Sequence, residues 1–301
     1  MRRSILSRPV SLAFISPAAI LILLFLVYPF VSIFFVSFTN QSLVGVNARN
    51  PAFVGFANYA DLFDTANWFA RGEFGNSLVV TTQYVIGSAL IGQACLGMAL
   101  AVIFYRRKGI FKETVTTLAI AAWIIPEVVV GFAWFAFLDP FEGTLNNILG
   151  FLGLVQPDWL LEYPVLSIIF FNTWRGTAFS MLLFTSALAS IPPSHIETAE
   201  VIGASTWQKF RDILLPQIKG AIATDVILIT LWTFNTFSPY LLTGGGPSYR
   251  SEVVSIFTYR TGLQNFEFGK GSAVAVMVML INLALASTYL FITRVKKGTA
   301  K

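Results

Sequence analysis

Four long stretches of this 301-residue chain carry no charged side chain: residues 9–48, 74–105, 226–249 and 271–293. A soluble core needs no gaps of that length, whereas a bilayer excludes charge from about 20 residues at a time. Composition points the same way. Charged residues are 12% of the chain, where a soluble domain carries roughly 25%. A secreted or cytosolic globular domain is therefore excluded. The formal charge of +5 would suit nucleic acid, but basic residues flanking apolar spans are more simply a topology signal, and no nucleic-acid partner is expected. The one cysteine, Cys95, lies inside an apolar run, which leaves no disulfide framework and no cysteine metal site. The one histidine, His195, cannot supply the two ligands that metal-dependent hydrolysis usually needs, and it lies in a loop rather than a cleft.

Six crossings of about 20 residues are expected, at Leu12 to Val36, Leu78 to Tyr105, Thr117 to Leu138, Val165 to Ala189, Ile222 to Leu242 and Ser272 to Thr293. The basic start, Met1 to Arg8, resembles a signal peptide, but the apolar stretch behind it runs past Val36 and is expected to be retained as the first span. Orientation follows from lysine and arginine. Arg2, Arg3, Arg8, Arg106, Arg107, Lys108, Lys112, Lys209, Arg211, Lys219, Arg294, Lys296, Lys297 and Lys301 fall on one side. Only Arg49, Arg71, Arg250, Arg260 and Lys270 fall on the other, with Arg175 inside the membrane. Both termini are then cytoplasmic. The fold class is an all-α polytopic membrane protein, read as a first span with its outer segment over 1–76 and a five-span core over 77–301. Among intramembrane carboxylates, only Glu127 is read as lying deep in a span.

The loop between the fourth and fifth spans, residues 190–219, is far longer than a reversal needs. It reads as helix, sharp turn, helix. Ser194 with Glu197 and Ser205 with Gln208 fit two capping boxes. Gly203 suits a left-handed helix end, and Pro216 is expected to end the second helix. Ala199 and Gly203 offer a small-residue surface, while Trp207, Phe210, Ile213 and Leu214 recur at helical spacing as an apolar face. Such a piece lies on the membrane interface or docks on a partner.

From Glu197 to Pro216 the residues E-T-A-E-V-I-G-A and L-L-P resemble the E-A-A loop of permease subunits in binding-protein-dependent ABC importers. Trp174-Arg175-Gly176-Thr177, Ile191-Pro192, Leu242-Thr243-Gly244-Gly245-Gly246-Pro247 and Phe268-Gly269 resemble its carbohydrate-uptake branch, with permeases like those for maltose, multiple sugars and glycerol-3-phosphate. Thr198 stands where the motif usually has its first alanine, and Ile202 where the sugar branch often has aspartate.

The resemblance implies a permease of the bacterial inner membrane that performs no chemistry itself. Its partners would be a second homologous permease, two ATPase subunits that bind ATP and Mg, and a periplasmic or lipid-anchored solute-binding protein. Glu197, Ala199, Gly203 and Pro216 would form the coupling contact with the ATPase. No cofactor is expected in this chain, and the nearest fragment to a phosphate loop, Gly269-Lys270-Gly271-Ser272, has the wrong spacing. The outer Gly244-Gly245-Gly246-Pro247 reads as a flexible turn that could face the outer gate and the docked binding protein.

A sugar path needs polar and aromatic side chains within apolar spans. Asn172, Thr173, Trp174 and Arg175 supply one such cluster, and Trp232, Thr233, Asn235, Thr236 and Ser238 another; asparagine and threonine can equally tie helices together. An unpaired arginine in mid-membrane costs roughly 2.5 to 3.5 kcal/mol. Glu127 is therefore the expected partner of Arg175, the alternative being that Arg175 lines the cavity and attracts an anionic sugar. Two other classes compete with an importer. An ion-coupled secondary transporter would need inverted repeats and more buried carboxylates. An intramembrane enzyme is disfavoured by the lone loop histidine.

Overall fold

The computed structural model describes residues 8–64 and 66–298. Arg2, Arg3 and Lys301, three of the basic residues used for orientation, lie outside them. The described residues are helical throughout apart from connecting turns, with one isolated bridge between Thr39 and Phe53. Among the described residues, four helices are long and apolar enough to cross a membrane: Leu12–Val36, Phe74–Ile103, Lys219–Thr243 and Phe268–Phe291.

The third expected crossing is not one straight helix. It is broken into Ile110–Ile124 and Glu127–Phe137, which meet at 107°. Pro126 is the cause, because its ring removes an N–H, clashes with the preceding turn and pushes the residue before it out of helical geometry. Ile125 and Pro126 accordingly have extended ψ values of 135° and 134°. If this bent pair counts as one crossing, the apolar spans number five. The Pro164–Ala189 helix has 26 residues, about 39 Å at 1.5 Å per residue, which is long enough to cross. It is more polar than the others because it carries Asn172, Thr173, Arg175, Thr177 and Ser180.

The chain divides into two compact units. One comprises residues 1–66 and 258–281. Its Leu12–Val36 span has no buried residue, as suits a helix surrounded by lipid. Beyond it, Phe38 packs edge-on to Phe34 and Phe56, and the Asn58 amide donates to the carbonyls of Ser37 and Thr39 at 2.8 Å. The Phe268-Gly269 pair has a steric reason: the Gly269 N–H donates to the Gln41 carbonyl at 2.7 Å, and a Cβ there would collide with the Thr39 carbonyl oxygen.

The second unit comprises residues 67–257 and 282–301. Its centre is the crossing of the Phe74–Ile103 helix with Pro164–Ala189. Small residues let the two backbones close, the device membrane helices use where lipid supplies no hydrophobic drive. Added Cβ atoms would run into Ile169 at Gly87, Thr173 at Gly92, Ser180 at Gly97 and Gln93 at Gly176. The turns of Val85–Ala94 are widened to π geometry along this contact. One apolar core, with Tyr84, Ile168, Phe171 and Ile256, fills one half of the unit. Another, with Ala101, Phe184, Leu188, Ile196, Leu214 and Ile218, fills the other.

The segment 243–251 is no loose turn. Ser251 Oγ donates to the Gly246 carbonyl at 2.6 Å, the Gly245 N–H donates to Thr243 Oγ1 at 3.3 Å, and Ser251 is fully buried. Gly244 and Gly245, at φ 57° and 89°, supply the left-handed backbone that this tight path requires. Arg250 pins it further by donating to the Leu161 and Glu162 carbonyls at 3.0 and 3.1 Å.

Candidate functional site: a polar cavity within the helices and an exposed loop

The cavity of about 90 Å³ inside the second unit is lined by residues from four elements. The Pro164–Ala189 helix contributes Asn172, Arg175 and Phe179, which at spacings of three and four share one face. The Lys219–Asn235 helix and its end contribute Trp232, Thr233 and Thr236; the π segment brings Gln93, and the first half of the bent pair brings Trp123. Phe179 stands edge-on to Trp232 at 4.7 Å between ring centres and lies 6.0 Å from Trp123. Asn172 donates to Ser88 Oγ at 2.8 Å and to Thr233 Oγ1 at 3.3 Å, joining three helices.

Arg175 Nη1 lies 3.2 Å from Glu127 Oε1, with the two side chains 26% and 36% exposed. The break at Pro126 makes this geometry. It places Glu127 in the first turn of its helix, where free N–H groups and the helix dipole favour a carboxylate. Arg175 Nε has no hydrogen-bond partner.

Three residues expected on the path stand elsewhere. Trp174 turns away from the cavity, because adjacent helical residues diverge by about 100°. It meets Trp134 edge-on at 6.0 Å and lines a separate apolar cavity of about 400 Å³ with Ile125, Val129 and Phe137. Asn235 exchanges amide hydrogen bonds of 2.9 Å with Asn282, tying two helices together. Ser238 is buried and bonds Thr236 Oγ1 at 2.9 Å, where the helix has unwound at Thr236. The freed Thr236 carbonyl accepts from Ser255 Oγ at 2.6 Å, the neighbour rescue that a broken membrane helix requires.

Gln93, Trp123 and Phe179 went unnoticed in the sequence. Phe179 had a signal, four residues beyond Arg175 on the same face; Gln93 stood out only as an amide inside an apolar run, and Trp123 had none. Asp225 corrects the view that Glu127 is the only deep carboxylate. It is fully buried in the Lys219–Asn235 helix, where its Oδ2 accepts from Ser180 Oγ at 3.0 Å and its Oδ1 has no partner.

The loop forms the helix Pro193–Val201, a left-handed turn at Gly203 with φ 78°, and a second helical run from Thr206 to Gln217. The turn is closed by the Ala204 N–H donating to the Ala199 carbonyl at 2.9 Å and the Gly203 N–H to that of Glu200 at 3.1 Å, a Schellman closure. Ser205 and Gln208 form a reciprocal capping box at 3.2 and 2.8 Å. Lys209 clamps the two helices through Glu200 at 3.2 Å.

Four expectations about this loop are corrected. Ser194 and Glu197 form no capping box: the helix begins at Pro193, so Ser194 already has helical geometry and its hydroxyl cannot serve as the cap. Ala199 is buried rather than presented outward. Of the supposed docking face, Phe210, Ile213 and Leu214 pack inward with Ile196 and Ile218 against Phe184 and Leu188. Pro216 lies inside the helical run, which ends one residue later at Gln217. The π turns of Lys209–Leu214 just before it displace the carbonyl that its ring would otherwise meet. What the loop exposes is Glu197 together with an apolar apex: Val201 at 88%, Ile202 at 77% and Trp207 at 65%.

Residues 93–297 match the family model described as the binding-protein-dependent transport system inner membrane component. The chain is 30% identical over 300 residues to the sulfoquinovosyl glycerol transport system permease protein SmoG of Agrobacterium fabrum, covering 96% of this chain and 92% of that protein. It is 31% identical over 275 residues to the trehalose transport system permease protein SugA of Mycobacterium tuberculosis, covering 90% and 84%. A chain of a bacterial alginate ABC transporter, solved in complex with its alginate pentasaccharide-bound periplasmic protein, superposes with a TM-score of 0.78 at 23% identity, covering 95% of this chain and 94% of that one. The family match spans both the cavity helices and the exposed loop, and with it the chain belongs to the inner membrane components of binding-protein-dependent transport systems, as a multi-pass permease subunit of an ABC importer.

Proposed function

We propose that this permease carries a sugar or sugar derivative across the membrane by alternating access. The observation that carries this reading is the cavity around Arg175. It sets aromatic faces (Trp123, Phe179, Trp232) against hydrogen-bonding groups (Gln93, Asn172, Thr233, Thr236), the pairing that a ring with a C–H face and hydroxyl edges requires. The relatives named for sulfoquinovosyl glycerol and trehalose support that substrate class. At about 90 Å³ the cavity is smaller than the roughly 300–1,000 Å³ of ordinary ligand sites. Transport therefore requires the lining helices to part, and the breaks at Pro126 and Thr236 are the places where they can pivot.

On this reading the chain has six spans with cytoplasmic termini, the bent pair and the Pro164–Ala189 helix completing the four apolar spans. It works with a second homologous permease, two ATPase subunits that bind and hydrolyse ATP with Mg, and a solute-binding protein. Glu197 and the Val201–Ile202–Trp207 apex meet the ATPase. Ala199 acts from beneath by seating the helix, Gly203 sets the turn, and Pro216 lies in the supporting helix.

The test is uptake in proteoliposomes holding this chain with its partner permease and ATPase subunits, supplied with binding protein and candidate sugars. Uptake should need internal ATP and binding protein. Trp232→Ala should lower it at least about tenfold with the complex intact, and Glu197→Ala should weaken the coupling of ATP hydrolysis to uptake. Uptake driven by an ion gradient alone would overturn the reading and make Asp225 and Glu127 the residues to pursue.

A further inference from the structure

Where the Phe74–Ile103 helix ends, a groove of about 600 Å³ opens between its last turn and the two loop helices. Its floor is apolar, formed by Val102, Ile103, Phe210 and Leu214, and its rim carries Arg106, Arg107 and Lys209. One acid faces it, Glu200, already paired with Lys209. The guanidinium groups of Arg106 and Arg107 are exposed and make no ion pair among the described residues. Arg106 is moreover held at φ 58°, a left-handed backbone that a residue with a Cβ adopts only under strain. This strained turn sets two neighbouring arginines at the edge of one groove. Arg106 also borders a second cavity of about 220 Å³ beside Lys112.

We infer that this groove binds an anionic membrane phospholipid, its phosphate on Arg106, Arg107 and Lys209 and an acyl chain along Val102, Ile103 and Phe210. Position and charge carry the argument. The groove begins at the last apolar turn of a spanning helix, the depth at which headgroups lie. Unpaired arginines above an apolar wall match the two halves of such a lipid, and each basic residue near the surface favours an anionic headgroup. Free inorganic phosphate would use the rim and leave the apolar floor uncovered.

The assembled importer and the isolated full chain, both in detergent, would be titrated with phosphatidylglycerol, phosphatidylcholine or inorganic phosphate and analysed by native mass spectrometry. Retention of phosphatidylglycerol at concentrations where phosphatidylcholine is lost is expected for both. The double variant Arg106→Ala/Arg107→Ala should weaken retention roughly tenfold or more, and Lys209→Ala by less. Arg211→Ala, outside the groove beside Asp212, should leave it unchanged. Arg106→Lys/Arg107→Lys, which keeps the charge, should retain most binding and guards against a folding or topology defect in the alanine variant. Equal retention of the two lipids, an unaffected alanine variant, displacement by inorganic phosphate, or loss of the site in the assembled importer would each overturn the inference. Because no readout here is transport, such a failure leaves the import reading standing.

Discussion

The loop at 193–217 and the cavity around Arg175 are both places where helices stop and the chain turns, yet they are built by opposite means. In the loop the polar contacts that set the turn are nearly local: Ser205 with Gln208, the Gly203 closure, Lys209 with Glu200. In the cavity the side-chain partners of Arg175 and Asn172 come from afar. Glu127 lies 48 residues from Arg175, Thr233 lies 61 from Asn172, and Ser88 lies 84 from it. The surroundings explain the difference. A loop facing water can leave backbone groups solvated or cap them with a neighbour, whereas a helix broken within a bilayer must find its partners on other helices.

Three substitutions sharpen or break this contrast. Glu127→Gln should have the largest effect, because it leaves Arg175 without its counter-charge. The pair is about a third exposed, so solvent screening brings the effect below the full mid-membrane cost, to about 2 kcal/mol. It would be read as a drop in thermal stability of the purified chain, with Arg175→Met/Glu127→Gln recovering most of the loss. A double variant no better than the single one would show that the pair does not hold the helices. Gly176→Ala comes next. Its Cβ would meet the Gln93 amide where two helices cross. Because the end of that long side chain can shift, the overpacking should cost about 1 kcal/mol, the low end for such changes, and should also depress uptake by distorting the cavity wall. Normal stability and uptake would mean that the crossing is looser than the structure shows. Ser205→Ala should reach least far, costing about 1 kcal/mol at the cap. Its effect should be confined to faster amide exchange over 206–217, with substrate affinity unchanged. If it destabilised the chain as much as Glu127→Gln, the separation between a locally built loop and a distantly built cavity would collapse.

What was readable in advance follows the same division. The cap at Ser205 and the left-handed Gly203 are consequences of residues within a few positions of each other. The need for Arg175 to find an acid was equally plain, since few acids lie within reach of the membrane interior. The faces were harder. Trp174 and Arg175 are adjacent in sequence yet line different cavities, and Asn235 looked like Asn172 while serving to tie its helix to Asn282. Trp207 and Phe210 repeat at helical spacing, but Trp207 is exposed and Phe210 packs inward. In a chain where both lipid-facing and buried positions are apolar, hydropathy cannot tell them apart.

By itself the sequence determined that the chain is a helical membrane protein, where its long apolar runs lie, and that a helix–turn–helix loop projects between two of them. These follow from charge exclusion and from local backbone preference, which act within one segment. Only the tertiary structure decided that the third run bends by 107° to present Glu127, that Gln93 and Trp123 join Arg175, and that Asp225 is buried against Ser180. Those outcomes depend on how closely small residues let two helices approach and on which face each then turns inward, and neither quantity is encoded in any one helix.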